Sequence, residues 1–102
     1  MKGNAPAKIA CIQMDVAQGE VDKNLEKAGA LIREACGNGA NLLVLPEMFN
    51  CGCIFENRAQ VYAVAEEVPG GKTANYLEKL AREHRVYIAG SLCELNGEDI
   101  YN

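Results

Sequence analysis

Glu47 is the residue in this sequence best placed to do chemistry. It follows L-L-V-L-P, residues 42–46. An apolar run without alternation is what a strand buried on both faces requires. Proline ends such a strand because it cannot donate to a ladder. Glu47 is therefore expected at the carboxyl end of a strand, on the rim of an apolar core, where open α/β sheets build their sites. A carboxylate held there can act as a general base. It can equally begin a solvated loop or cap a turn, since structural carboxylates at strand ends are common.

Other reactive residue types carry less. Cys51 and Cys53 lie four and six residues after Glu47, close enough for a glutamate–thiol pair. Free cysteine often packs as a small hydrophobe, however, and no cation is fixed beside these two by sequence. Cys51-x-Cys53 with His84 makes a poor zinc set, because the usual gap is roughly two to four residues and no fourth ligand pairs with His84. His84 reads as the end of a helix. Gly70-Gly71-Lys72-Thr73 lacks the upstream glycine of a phosphate loop and reads as a turn and helix cap. Tyr62, Tyr76, Tyr87 and Tyr101 are too scattered to stack bases, and read as core or interface side chains. Phe49 either lines a pocket beside Glu47 or closes the core under the loop.

The elements that must position Glu47 follow from apolar spacing. Lys8–Met14 reads as a strand. Asp22 is a candidate N-cap for a helix in which Leu25, Ala28, Leu31, Ile32, Ala35 and Cys36 form one stripe. Gly37 and Gly39 supply its stop. Asn41–Leu45 is the second strand, Met48–Asn57 a loop, and Arg58–Glu67 a short helix. Val68–Lys72 is a turn, after which Thr73 caps a second long helix with Leu77, Leu80 and Ala81 inward. Arg82, His84 and Arg85 near its end suit the helix dipole. Val86–Cys93 reads as a third strand, Asn96-Gly97 as a hairpin turn and Asp99–Asn102 as the start of a fourth strand. The β-α-β-(α)-α-β order predicts an α/β fold with a largely parallel sheet and both long helices on one side.

Bulk properties narrow the function. A chain of 102 residues is one domain or part of one, and can bury roughly 60–70% of the surface its unfolded form exposes. The chain is 49% hydrophobic and 24% charged, with net charge -4. That balance argues against nucleic acid or an anionic membrane as partner. No segment is apolar for long enough to span a bilayer, and the start lacks the features of an export signal. The five cysteines, an odd number, read as reduced thiols, and the expected setting is the cytosol.

The stretch G-A-N-L-L-V-L-P-E-M-F, residues 39–49, resembles the first catalytic motif of the nitrilase superfamily of carbon–nitrogen hydrolases. K-I-A-C-I-Q-M-D-V-A-Q-G-E-V-D-K-N-L-E-K-A resembles the family's first strand and helix, and T-A-N-Y-L-E-K-L-A-R-E-H-R-V-Y-I-A-G-S-L-C-E its later helix and strand. E-D-I-Y-N resembles the lead into the next strand, so the likeness runs from Lys8 to Asn102. The resemblance implies part of a four-layer αββα sandwich, with residues 1–102 as the N-terminal part of one hydrolase domain and no second domain. It implies hydrolysis of a nonpeptide carbon–nitrogen bond in an amide, nitrile or carbamoyl substrate. In that chemistry a cysteine attacks, a glutamate acts as base and a lysine stabilises the intermediate, with no metal or organic cofactor. Glu47 matches the family's base. The family's lysine and cysteine lie farther along than residue 102, so the chain alone is expected to be inactive and to supply roughly the first third to half of the architecture. Homo-oligomers are expected by resemblance. The alternative is an assembly or interaction module built on the same half-fold, with an exposed apolar face and a free strand edge.

Overall fold

The computed structural model describes residues 7–102, so the reading that no export signal opens the chain lies partly outside the described residues. Its elements run β1 (Ile9–Cys11), α1 (Val21–Gly37), β2 (Leu42–Val44), α2 (Arg58–Val64), α3 (Lys72–His84), β3 (Tyr87–Ala89), β4 (Glu94–Asn96) and β5 (Asp99–Tyr101). β1, β2 and β3 form a parallel sheet in sequence order, as the alternation of strand and helix predicts. Each parallel step needs a long crossover to carry the chain back, and α1 and α3 provide it.

Register decides which side chains meet the helices. Ile9 pairs with Leu42 and Leu42 with Tyr87; the next row is Ala10, Leu43 and Ile88, and the last is Cys11, Val44 and Ala89. Side chains alternate along a strand, so the middle row points one way and the outer rows the other. The middle row packs under both long helices. Leu43 and Leu45 join Leu25, Ala28 and Ile32 of α1 and Leu80 of α3 in one buried cluster, closed by Phe49. Each of the larger side chains so buried contributes about 1.5–3 kcal/mol of transfer free energy. α1 and α3 touch closely where Gly29 faces Tyr76. A methyl on Gly29 would lie 1.9 Å from the Tyr76 hydroxyl oxygen.

The outer rows stay open. Ile9 is 59% exposed, Tyr87 60% and Val44 38%. β2 is therefore covered on one face only, which corrects the expectation of a strand buried on both. Its apolar run fills the core through Leu43 and Leu45, while Val44 faces solvent.

Other boundaries move for identifiable reasons. α1 begins at Val21 with Glu20 as its N-cap residue and no side-chain cap. Asp22, expected as the cap, lies inside the first turn and pairs there with Lys72. Gly37 is the last helical residue, and Gly39, with φ +88, makes the turn into β2. α2 stops at Val64 instead of Glu67, and its start is capped by Asn57, whose side chain accepts the Gln60 N–H. Glu66 instead bridges to Glu94 in extended backbone. Thr73 does not cap α3; Gly71 is the N-cap residue. The expected third strand is split: Gly90–Cys93 leaves the parallel sheet, and β4 pairs with β5 in an antiparallel hairpin. Gly97-Glu98 forms its turn, with Gly97 at φ +65. Among the described residues no helix is long and apolar enough to cross a membrane.

Candidate active site

The chain leaves β2 through Leu45, whose N–H donates to the Ala89 carbonyl at 2.8 Å and prolongs the pairing with β3. Pro46 then ends the ladder and Glu47 emerges at the carboxyl end of the sheet. Glu47 is exposed there. It opens on a groove of about 510 Å³ lined also by Val44, Leu45, Ala89, Gly90, Ser91 and Asn102. Asn102 Nδ2 donates to Glu47 Oε1 at 3.5 Å, the outer limit of a hydrogen bond.

The backbone behind Glu47 is unusual. Met48 has φ 52, a left-handed conformation that costs a non-glycine residue about 1–2 kcal/mol. The Met48 N–H donates to Ser91 Oγ at 3.0 Å, which ties this turn to the end of β3. The Gly52 and Cys51 N–H groups both donate to the Met48 carbonyl, at 2.8 and 3.2 Å, closing the loop on itself. Phe49, Asn50 and Cys51 are all 0% exposed, so the loop after Glu47 is anchored by three consecutive buried residues. Gly52, at φ +79, lets Gln18 come close; a side chain there would meet Gln18 Oε1 at 2.1 Å.

The two loop thiols differ. Cys51 packs with Met48 and Cys93 in a second buried cluster. Burial first, then the neighbouring Cys93 thiol, pushes the Cys51 thiol up to about 12, and burial also raises Cys93. A thiol held protonated is a poor nucleophile, so Cys51 is a packing residue. Cys53 is exposed. Among the described residues neither thiol hydrogen-bonds to Glu47, and no three His, Cys, Asp or Glu side chains gather as a metal site. His84 is half-buried at the end of α3, and Lys72 of the glycine-rich turn is engaged with Asp22.

A wider cleft of about 710 Å³ lies elsewhere, between the start of α1 and the stretch joining α2 to α3. Its walls include Glu20, Lys23, Glu66 and Lys72, and Glu47 is not among them. The smaller groove is the better candidate because it sets a carboxylate, Glu47, at the carboxyl ends of β2 and β3. The place of Glu47 at the strand end follows from the apolar run before it, whereas Ser91 and Asn102 carry no such local signal. Ser91 lies within a stretch that reads as strand, and Asn102 comes alongside only through the β4–β5 hairpin.

The family model for carbon-nitrogen hydrolases matches residues 8–102. A nitrilase from Pyrococcus abyssi is 43% identical over 95 residues, covering 93% of this chain and 36% of its own length. An omega-amidase from Danio rerio is 36% identical over 98 residues, with 93% and 33% covered. The crystal structure of a CN-hydrolase superfamily protein from Xanthomonas campestris, which has an arsenic adduct in its active site, superposes with a TM-score of 0.79 at 23% identity. That match covers 92% of this chain and 33% of the Xanthomonas chain, and shows the likeness of fold. The chain thus spans about a third of the length of the curated relatives it matches. With the family model matching residues 8–102, this chain belongs to the carbon–nitrogen hydrolase family.

Proposed function

We propose that this chain is the N-terminal part of a hydrolase domain that cleaves a nonpeptide carbon–nitrogen bond in an amide, nitrile or carbamoyl substrate, with Glu47 as general base. The observation that carries the reading is the family match through a segment that delivers Glu47 to an open groove at the carboxyl ends of β2 and β3. The relatives named a nitrilase and an omega-amidase favour small-molecule nitriles and amides as the substrate class.

In this reading Glu47 takes the proton from a cysteine thiol supplied by residues beyond this chain. The thiolate attacks the substrate carbon, and a lysine, also supplied elsewhere, faces the developing negative charge. From an amide or carbamoyl group, ammonia or an amine leaves with the proton that Glu47 took. A nitrile first gives a thioimidate, which adds one water before ammonia leaves. A further water then releases the acyl group from sulfur. Glu47's exposure suits the first step, because a base must reach the thiol within hydrogen-bond distance.

Ammonia release measured over simple amides, nitriles and carbamoyl compounds tests the proposal. Full-length enzyme containing this chain should release ammonia from at least one class, and residues 1–102 alone should release none. Turnover by the isolated chain would show that a thiol within it, Cys53 foremost, is the nucleophile. A second reading, an assembly module, is favoured by one observation: the apolar row of Ile9, Val44 and Tyr87 stands open on the sheet. Inactivity of the full-length protein on all three classes would favour it.

A further inference from the structure

The loop that follows Glu47 is tied to the rest of the fold through a polar network that the catalytic reading does not use. Asn50 is 0% exposed. Its Nδ2 donates to Thr73 Oγ1 at 3.0 Å and to Glu66 Oε2 at 3.2 Å. The Thr73 hydroxyl in turn donates to Glu66 Oε2 at 2.6 Å, and the Thr73 backbone N–H to Glu66 Oε1 at 2.6 Å. One carboxylate thus accepts from the first turn of α3 and from the loop at once. On the other side, Asn24 of α1 donates through Nδ2 to the Asn50 carbonyl at 2.9 Å, while the Gly19 N–H donates to the Cys51 carbonyl at 2.8 Å. The loop is therefore held from α1, from α3 and, through Ser91, from the end of β3.

Two features argue that this network is more than a source of stability. Asn50 Oδ1 is buried and has no donor among the described residues, a burden of about 1–3 kcal/mol that an apolar side chain would not carry. The amide is thus retained for its donor side, which reaches Glu66 and Thr73. The network also converges on the loop that opens with Glu47 and the left-handed Met48, where the backbone is held against its own preference.

We propose that Glu66 is a positioning residue for Glu47: acting through Asn50, it fixes the loop 47–52 against the start of α3. The proposal rests on Glu47 being the general base, and it separates two jobs between two carboxylates. Glu47 handles the proton, and Glu66 sets where Glu47 stands.

The test is amide hydrogen exchange on the chain, paired with turnover of the full-length enzyme. Glu66→Gln keeps the side-chain length but replaces one accepting oxygen with a donor. Exchange at residues 48–52 should quicken at least tenfold, with the strand amides of β1, β2 and β3 unchanged. The swapped pair Asn50→Asp with Glu66→Gln restores a donor opposite an acceptor and should recover at least half of that loss on a logarithmic scale. In the full-length enzyme Glu66→Gln should lower kcat per folded molecule by about tenfold to a hundredfold with KM changed less than threefold, since small displacements of a reacting group are costly. Unchanged exchange in the loop, or quickening equal across the whole chain, would overturn the proposal. So would wild-type kcat per folded molecule, or failure of both the single and the swapped variant to fold, which would mark Glu66 as scaffold only. Glu47→Gln is run alongside: if that variant stays active, the general-base reading fails, while the exchange result still decides whether Glu66 holds the loop.

Discussion

At the scale of single residues, the chemistry of this chain is decided by which polar groups are covered. Glu47 is open to the groove, whereas Cys51, four residues on, is sealed beneath the loop with its thiol raised to about 12 from an ordinary 9.0. That shift makes a pH prediction. Well below pH 9.0 the thiol keeps its proton in both folded and unfolded chains, so Cys51 adds no pH dependence there. As pH rises from 9.0 to about 12, the unfolded chain ionises while the folded one does not, and stability is lost. Thermal midpoints measured across that range should fall less steeply in Cys51→Ala than in the parent chain, with Cys93, raised in the same direction, accounting for part of what remains. Equal slopes would show that Cys51 is not the group responsible. The position of Glu47 at the end of β2 was legible from L-L-V-L-P, and Cys51 as packing from the habits of free cysteine. Ser91, Asn102 and Glu66 were not legible, because their roles come from contacts across 43, 55 and 16 residues of sequence, which no local spacing encodes.

At the scale of elements, apolar periodicity located every helix and the parallel strands, while caps and ends were misread. Asp22 and Thr73 have the right chemistry for N-caps, yet tertiary partners take both, Lys72 in one case and Glu66 in the other. A capping signal is local, and a long-range partner overrides it. The third strand, expected over Val86–Cys93, ends four residues earlier, at Ala89, because S-L-C continues the apolar pattern beyond Gly90, where the chain turns away toward the hairpin. Two substitutions separate the local term from the packed one. Asn57→Ala removes the side chain that accepts the Gln60 N–H and should cost about 1 kcal/mol in denaturant unfolding. Leu80→Ala empties a position 1% exposed at the α3–sheet interface and should cost about 2–5 kcal/mol. A loss at Asn57 as large as that at Leu80 would show that α2 matters to the core more than its lack of buried residues indicates.

At the scale of the molecule, α1 and α3 form one helix layer on the β1–β2–β3 sheet, with the β4–β5 hairpin as a separate small sheet, and among the described residues the second face of the larger sheet stands open. The run Leu42–Leu45 read as a strand covered twice; in the fold it is covered once, and Ile9, Val44 and Tyr87 carry the difference. An apolar face of this kind favours association. Residues 1–102 in isolation should therefore sediment as more than a monomer at micromolar concentrations, and Tyr87→Lys with Ile9→Lys should shift them toward monomer. A parent chain that stays monomeric would mean the open row is too small to drive pairing.

The proposed general-base role of Glu47 is tested most directly by ammonia release from the full-length enzyme carrying Glu47→Gln. The side chain keeps its length and loses its basicity, so the fold, read by circular dichroism, should be unchanged. Turnover should fall by at least about a hundredfold, the usual contribution of a general base. Full turnover in a folded Glu47→Gln enzyme would rule out Glu47 as the base and place that role on another residue.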